Sequence, residues 1–167
     1  LLGPAHPYRG GIADTQNYLA QNISKLGHEV LVFTFKYQYP KLLFPGKTQY
    51  SSIPAPKGIN IKRKVHSINP LNWINTSNEI NQYDPDIVLF RYWTPFLAPC
   101  WNWISKRLSS NIKKIAVVDN WIPHERKPWD YILNDLFGKR MDAFVTLSKA
   151  VSDEIEVDKP NTCLLYT

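Results

Sequence analysis

Short apolar runs alternate along this chain with longer segments in which apolar residues recur every three or four positions. Runs of four to eight residues rich in Val, Ile and Phe are typical of strands buried on both faces of a parallel sheet. Such strands are predicted at residues 29–35, 86–90, 114–118 and 143–147, with weaker ones at residues 59–65 and 162–166. The opening pair Leu1-Leu2 is predicted to be the end of a first strand.

The segments between these runs have helical spacing and recognisable ends. Helices are predicted at residues 12–26, 70–83, 96–108, 129–140 and 149–157. Gly27 is placed to end the first helix and Asp84-Pro85 to end the second. Residues 36–57 contain four prolines and little periodicity, which predicts a long loop.

Strands that alternate with helices predict an α/β fold. The expected architecture is a Rossmann-like, doubly wound parallel sheet with helices on both faces, formed by residues 1–167 as a single domain. In such sheets ligands bind beyond the carboxyl ends of the strands, so the loops that follow the strands are the places to search for a site.

Composition supports a globular domain. Apolar residues make up 44% of the 167 residues and charged residues 20%, and no apolar run is long enough to cross a bilayer. The two cysteines have neither zinc-site nor disulfide-framework spacing, so we predict free thiols and no metal site. Because the chain opens at the end of a strand, we expect it to be a fragment of a longer protein.

The chain is basic and rich in aromatic residues. Its formal charge is +6, and Phe, Trp and Tyr make up 13% of the residues. Such a surface suits nucleic acid, anionic lipid or phosphorylated small molecules. A nucleic-acid site needs Lys and Arg concentrated on one face, whereas here they are scattered along the sequence, which disfavours that class.

The first loop to examine precedes the first predicted helix. Gly10 and Gly11 permit close backbone approach, the helix amino terminus favours anions, and Arg9 adds a positive charge suited to phosphate. A flexible turn with no ligand is the alternative. The loop lacks the G-x-G-x-x-G pattern and no acidic residue ends the second strand, which argues against a dinucleotide site.

Three further loops follow buried strands. Arg91 and Tyr92, predicted to lie in the loop after Phe90, either clamp a sugar or phosphate or simply cover the core. After the strand at residues 114–118, Asp119 or His124 is placed to act as a base or to hold substrate hydroxyls. The alternative is that Asp119 or Asn120 only organises the turn. Ser148 is predicted to be the amino-terminal cap of the last helix.

The loop at residues 36–50 mixes Leu, Phe and Tyr with Lys. A packed surface loop is one interpretation. The other is a segment that contacts a membrane surface or the acceptor of a reaction.

Several of these segments together resemble one enzyme family. GPAHPYRGGIA, LGHEVLVFTF, YPKLLFPGKTQ, DNWIPHERKPWD and AFVTLSKAVSDEI, in this order, are similar to the amino-terminal half of retaining glycosyltransferases of the GT-B fold, called group 1 or family four. That family has two Rossmann-like domains facing each other across a cleft. The resemblance implies that this chain is the first, acceptor-side domain and that the nucleotide-sugar domain is absent from it.

The resemblance assigns roles to particular positions. Gly10 and Gly11 match the family's glycine loop, which lies near the donor phosphates and the acceptor. Asp119 stands where many members have His, so a role carried over from that His does not transfer directly, although Asp119 can accept hydrogen bonds from sugar hydroxyls. From the loop chemistry and the resemblance together, the candidate catalytic residues are Asp119 and His124, and the candidate substrate-binding residues are Arg9, Gly10, Gly11, Arg91, Tyr92, Asn120 and Glu125.

The expected function is transfer of a sugar from a nucleotide-sugar donor to an acceptor hydroxyl with retention, in polysaccharide or lipid-linked glycan synthesis. No metal or other cofactor is expected. The expected location is the cytoplasm, at the inner face of the membrane. The alternative is a non-catalytic Rossmann-like module that binds a nucleotide or an anionic metabolite, and an acidic E-x7-E segment further along the parent chain would distinguish the two.

Overall fold

The computed structural model describes residues 1–40, 50–52, 54–123, 125, 127–159 and 163–166. Its contacts divide the chain into two compact units, Leu1–Ser67 and Ile68–Thr167. The first unit contains α1 (Gly11–Lys25), β1 (Leu31–Tyr37) and β2 (Asn60–His66). The second contains α2 (Pro70–Tyr83), β3 (Ile87–Tyr92), α3 (Ala98–Arg107), β4 (Lys113–Val118), α4 (Asp130–Gly138), β5 (Ala143–Thr146), α5 (Lys149–Asp158) and β6 (Leu164–Tyr166).

The first unit is built around β1. On one side β1 pairs in parallel with β2. On its other side Phe33 accepts a hydrogen bond from the Gly3 N–H (3.2 Å) and donates one to the Leu1 carbonyl (2.8 Å), so the opening residues, predicted to end a strand, form a parallel bridge to β1. Ala5, Ala20 and Val32 form the buried centre beneath this pairing.

Local sequence sets the helix ends. At the end of α1, Gly27 has φ +92°, a conformation that favours glycine, and the His28 N–H donates to the Ile23 carbonyl. At the start of α2, the Asn69 side chain accepts hydrogen bonds from two backbone N–H groups of the first turn. Asp84 closes α2 in the left-handed conformation, immediately before a proline.

The second unit contains four parallel strands in the order β3-β4-β5-β6. Its core is aromatic, and the central contact is a stack of Tyr92 on Phe137 with ring centroids 4.2 Å apart. Edge-on and tilted contacts add four more rings, those of Phe90, Trp101, Trp121 and Phe144. All six tryptophans of the chain belong to this unit.

The predicted α/β class with parallel strands and flanking helices is confirmed. Two details differ from the prediction. β3 continues to Tyr92, so Arg91 and Tyr92 are strand residues rather than loop residues, because their backbones pair with Val117 and Val118 of β4. The helix predicted at residues 96–108 begins instead as a short 3-10 turn at Pro95–Leu97, and α3 follows it. Of the predicted loop at residues 36–57, residues 41–49 and 53 lie outside the described residues.

Charge is divided unevenly between the units. Residues 1–67 carry nine Lys and Arg against two Asp and Glu, a net charge of +7. Residues 68–167 carry eleven against twelve, a net charge of −1. The basic character of the chain therefore belongs to the first unit.

Candidate active site

In the first unit, the segment that leads to α1 is held against the middle of β1. The Thr34 hydroxyl accepts a hydrogen bond from the Ala5 N–H (2.9 Å) and donates one to the Ala5 carbonyl (3.3 Å). The Tyr8 N–H donates to the same carbonyl at 2.9 Å. Since Thr34 is fully buried, this anchor is shielded from water.

Tyr8 fixes the segment from its other end. Its side chain is buried and packs edge-on against Phe35, with ring centroids 6.4 Å apart. Tyr50 lies against it at 5.4 Å, and the Arg63 guanidinium both donates to the Tyr50 hydroxyl (3.1 Å) and lies over the Tyr50 ring. Burial, with the neighbouring Tyr50, raises the pKa of Tyr8 to about 12, so Tyr8 stays protonated at neutral pH.

The residues after Tyr8 are exposed, in contrast to this anchored segment. Arg9, Gly10 and Gly11 all face solvent at the start of α1, and no described side chain caps that helix end. Gly10 has φ +112°, which favours glycine, whereas the backbone of Gly11 is helical. An added Cβ at either glycine would meet no described heavy atom within 4 Å. The result is an open helix terminus with a positive charge beside it.

In the second unit, two predicted site residues lie together. Arg91 at the end of β3 donates from Nε to Oδ2 of Asp119 at 2.6 Å, and its Nη2 donates to Oδ1 of the same carboxylate. The Arg91 side chain is 2% exposed and that of Asp119 is 16% exposed. Both carboxylate oxygens therefore already bind the guanidinium, and the pair is neutral overall. Each oxygen keeps a second lone pair that can accept a hydrogen bond.

The loop after Asp119 is fixed at several points. Trp121 is fully buried, its indole N–H donates to Asp158 of α5 (2.7 Å), and its carbonyl accepts from Asn134 of α4 (2.7 Å). The Ile122 N–H donates to a carboxylate oxygen of Glu154 at 3.2 Å. Asn120 lies exposed between the two anchored residues Asp119 and Trp121.

The remaining predicted site residues have different surroundings. Tyr92 is fully buried in the aromatic core, and its hydroxyl donates to Asn134 (2.6 Å). The predicted contact of Tyr92 with substrate stays a prediction. Glu125 is exposed, and His124 lies outside the described residues. Ser148 occupies the amino-terminal cap position of α5 as predicted, but within the described chain its side chain makes no capping hydrogen bond.

Sequence patterns did not identify the residues that position the site. Thr34, Asn134 and Asp158 hold the two loops in place. The available signal was a polar residue within an apolar stretch, Thr34 in the run VFTF and Asn134 on the buried face of α4. That signal shows a buried polar group but not its partner.

No described helix is long and apolar enough to cross a membrane. Within the described ranges, no three or more His, Cys, Asp or Glu side chains are grouped so as to share a metal ion.

The parallel strands flanked by helices match one Rossmann-like half of a GT-B fold. A sucrose-phosphate synthase from Thermosynechococcus elongatus has the same fold, with a TM-score of 0.53 and 13% sequence identity over 99% of this chain and 84% of that chain. At that identity the likeness shows the fold alone. Residues 9–160 match the family described as Glycosyltransferase Family 4. The chain belongs to glycosyltransferase family 4, and its enzyme class is glycosyltransferase. Among curated proteins, none matches the chain significantly.

Proposed function

We propose that this chain is the acceptor-side half of an enzyme that transfers a glycosyl unit from a nucleoside-diphosphate sugar to an acceptor hydroxyl with retention of anomeric configuration. Family membership supports the transferase class. The donor, the acceptor and the stereochemistry are the proposed part. The acceptor is proposed to be a growing polysaccharide or a lipid-linked glycan.

The observation that carries the proposal is the open amino terminus of α1. Its first N–H groups have no intrahelical acceptor, and the helix dipole places partial positive charge there. Gly10 and Gly11 leave space in front of it, and Arg9 supplies a full charge. A diphosphate that gains negative charge as it leaves the sugar is stabilised by such groups.

The test uses the full-length parent enzyme with a panel of nucleotide sugars. Release of nucleoside diphosphate from one donor identifies the sugar, and the anomeric coupling constant in the product establishes retention or inversion. Gly11→Ala should lower turnover, whereas Asn22→Ala, at an exposed position three turns along the same helix, should not. Absence of release from every donor in the wild type would contradict the proposal.

The Arg91–Asp119 pair is proposed to orient the acceptor. Asp119 alone would repel a phosphate, but the guanidinium neutralises it, so the pair can lie near a phosphorylated substrate without that cost. The unused lone pairs on the carboxylate oxygens are suited to sugar hydroxyls. His124 and Glu125 are retained as proposed contacts from the family resemblance.

The proposed reaction needs no metal ion and no cofactor besides the nucleotide-sugar substrate. Turnover should therefore be the same before and after treatment with EDTA. A loss of turnover that added Mg²⁺ restores would contradict this part of the proposal.

A peripheral contact with an anionic membrane is proposed for the first unit, on the cytoplasmic side. Its net charge of +7 supports this, since basic residues near an anionic bilayer each contribute about 1 kcal/mol of attraction. The 36–50 segment, which mixes Lys with Leu, Phe and Tyr, belongs to the same unit. The measurement is sedimentation with vesicles that contain or lack phosphatidylglycerol.

The alternative is a non-catalytic module that binds a nucleotide or an anionic metabolite. It is favoured by one observation, that both oxygens of the candidate acidic residue Asp119 are engaged by Arg91. Nucleotide binding without turnover of any donor would support this alternative.

A further inference from the structure

The outer face of α4 is apolar and exposed. Five of the nine residues in the helix sequence DYILNDLFG are large and aliphatic or aromatic. Trp129, Ile132 and Leu136 recur at the i, i+3, i+7 spacing of one helix face, and they are 56%, 65% and 38% exposed. Since a helix that is apolar on both faces is normally buried on both, this surface indicates an external partner.

The inner face of α4 is already occupied by the core. Phe137 stacks on Tyr92, and the Asn134 side chain accepts from the Tyr92 hydroxyl and donates to the Trp121 carbonyl. Ile132 and Leu136 are each two positions from Asn134, which is roughly 200° around the helix. The contacts of the inner face therefore fix the helix with its second apolar face turned outward.

Basic residues flank the outer face at both ends. Lys127 precedes α4, and its ammonium group lies over the Trp129 ring, 5.8 Å from the ring centroid. Lys139 and Arg140 follow the helix, and both are exposed. An apolar face with an indole near one end and cations at both ends is typical of a helix that lies in the interface of a bilayer.

The two acidic residues of α4 are engaged within the chain. The Asp130 carboxylate accepts a hydrogen bond from the Lys127 N–H at 2.8 Å. Asp135 forms ion pairs with Lys139 at 2.6 Å and with Lys159. Their negative charges are therefore offset, and the basic residues leave this surface suited to anionic phosphates.

A second copy of the chain fits this face less well than a membrane does. A standard protein interface takes about 20 to 30 residues on each side, whereas this face is a few side chains of one nine-residue helix. Two copies packed through α4 would also bring the basic ends of both helices together, in either orientation, and like charges repel.

We propose that α4 lies in the surface of an anionic membrane, with Trp129, Ile132 and Leu136 inserted at the boundary between headgroups and acyl chains. The flanking basic residues then face the lipid phosphates. This contact is apolar at its centre and belongs to the second unit, so it goes beyond the charge-driven contact proposed for the first unit. Salt distinguishes the two, because ions screen exposed charges but do not weaken the burial of apolar surface.

The first test is sedimentation of the full-length parent with vesicles of phosphatidylcholine and phosphatidylglycerol, in about 0.5 M NaCl to screen charge contacts. Ile132→Ser/Leu136→Ser should lower the partition coefficient about tenfold or more, because two apolar side chains no longer enter the bilayer. The matched control is Leu71→Ser/Val157→Ser, which changes residues that are 73% and 82% exposed on other helices of the second unit. It should leave the partition coefficient unchanged.

The second test locates the inserted residue in the 167-residue chain. Vesicles with bromine-labelled acyl chains should quench the tryptophan fluorescence of the wild type, because bromine quenches an indole that lies close to it. Trp129→Phe should lose most of this quenching. Trp103→Phe, at a position that is 41% exposed on α3, should retain it.

The proposal is overturned if the parent does not bind vesicles in high salt, if the control loses as much binding as Ile132→Ser/Leu136→Ser, or if Trp129→Phe remains quenched. It is also overturned if sedimentation velocity shows a dimer that Ile132→Ser/Leu136→Ser converts to a monomer, since a second copy would then occupy the face. None of these measurements requires donor or turnover, so their failure is distinguishable from failure of the transferase proposal.

Discussion

Gly10 and Gly11 are neighbours with different reasons to be glycine. Gly10 has φ +112°, which is strained for any residue with a Cβ. Gly11 has a helical backbone and open space around it, so nothing in the described structure requires glycine there. The proposed substrate site supplies a reason for Gly11, because a substrate could approach the helix terminus closely there.

That difference gives a prediction. Gly11→Ala should leave stability unchanged or raise it by up to about 1 kcal/mol, because alanine is the better helix former, and should still lower transferase turnover. Gly10→Ala should lower both. Urea unfolding followed by circular dichroism measures the first quantity and nucleoside-diphosphate release the second. Normal turnover in Gly11→Ala would remove this glycine from the proposed site.

The Arg91–Asp119 pair gives a second prediction about individual side chains. Either Asp119→Ala or Arg91→Met alone should cost about 3–5 kcal/mol of unfolding free energy, because each leaves a charge buried or partly buried without its partner. The double variant Arg91→Met/Asp119→Leu should be nearer the wild type than the sum of the single changes. Urea titrations of the three variants give the coupling, and additive losses would contradict it.

Turnover of that double variant separates structure from function. If it folds stably and loses turnover, the pair contributes to the reaction beyond its effect on stability. If turnover persists, Arg91 and Asp119 are structural residues.

His66 should make stability depend on pH. Its pKa is lowered in the folded protein, so below the ordinary value near 6.5 the unfolded chain binds more protons than the folded one. The free energy of unfolding should therefore fall as the pH falls below about 6.5, and the fall should stop below the folded-state pKa. In His66→Gln the fall in unfolding free energy that is due to this histidine should be absent. The control His28→Gln, at an exposed position of the same unit, should show the same fall as the wild type.

At the scale of elements, the loop between β4 and α4 depends on helices. Asn134 of α4 accepts from the Tyr92 hydroxyl and donates to the Trp121 carbonyl, and it is 3% exposed. Its amide therefore joins the last residue of β3 to the loop that presents Asn120. The helix face is part of the site's support although it contacts no predicted ligand.

Asn134→Leu should lower the unfolding free energy by about 2–4 kcal/mol, because it leaves a buried hydroxyl and a buried carbonyl unpaired. Asn81→Leu, which removes the hydrogen bonds that Asn81 makes at the exposed end of α2, is the comparison and should cost less. Backbone amide exchange around residues 120–122 should rise only in the first variant. Unchanged exchange there would show that Asp158 and Glu154 hold the loop without Asn134.

The elements show which features can be predicted from sequence. The bounds of α2 follow from local chemistry, Asn69 before it and Asp84-Pro85 after it, and were predicted to the residue. The end of β3 was placed too early because Arg91 and Tyr92 look like loop residues, and only their pairing with β4 and the partners Asp119 and Asn134 make them strand residues. The hydrogen-bond partner of a buried polar residue, when it is distant in sequence, leaves no periodic pattern in the sequence from which it could be predicted.

At the scale of the whole molecule, the charge difference between the units predicts where a membrane contact belongs. Lys36→Glu/Lys57→Glu/Lys62→Glu in the first unit should weaken binding to anionic vesicles by several kcal/mol, at about 1 kcal/mol or more per substitution. Lys106→Glu/Arg107→Glu/Lys113→Glu changes the net charge equally, but in the second unit, and should have a smaller effect. Equal effects would mean that overall charge, rather than the first unit, determines binding.

The position of the tryptophans has a practical consequence. Because all six belong to residues 68–167, intrinsic tryptophan fluorescence reports on the second unit alone, with no contribution from an indole elsewhere in the chain. Tyr8, Tyr37 and Tyr50 provide absorbing groups in the first unit. Selective excitation of tryptophan during unfolding or ligand titration would therefore assign an optical change to one half of the chain without an introduced label.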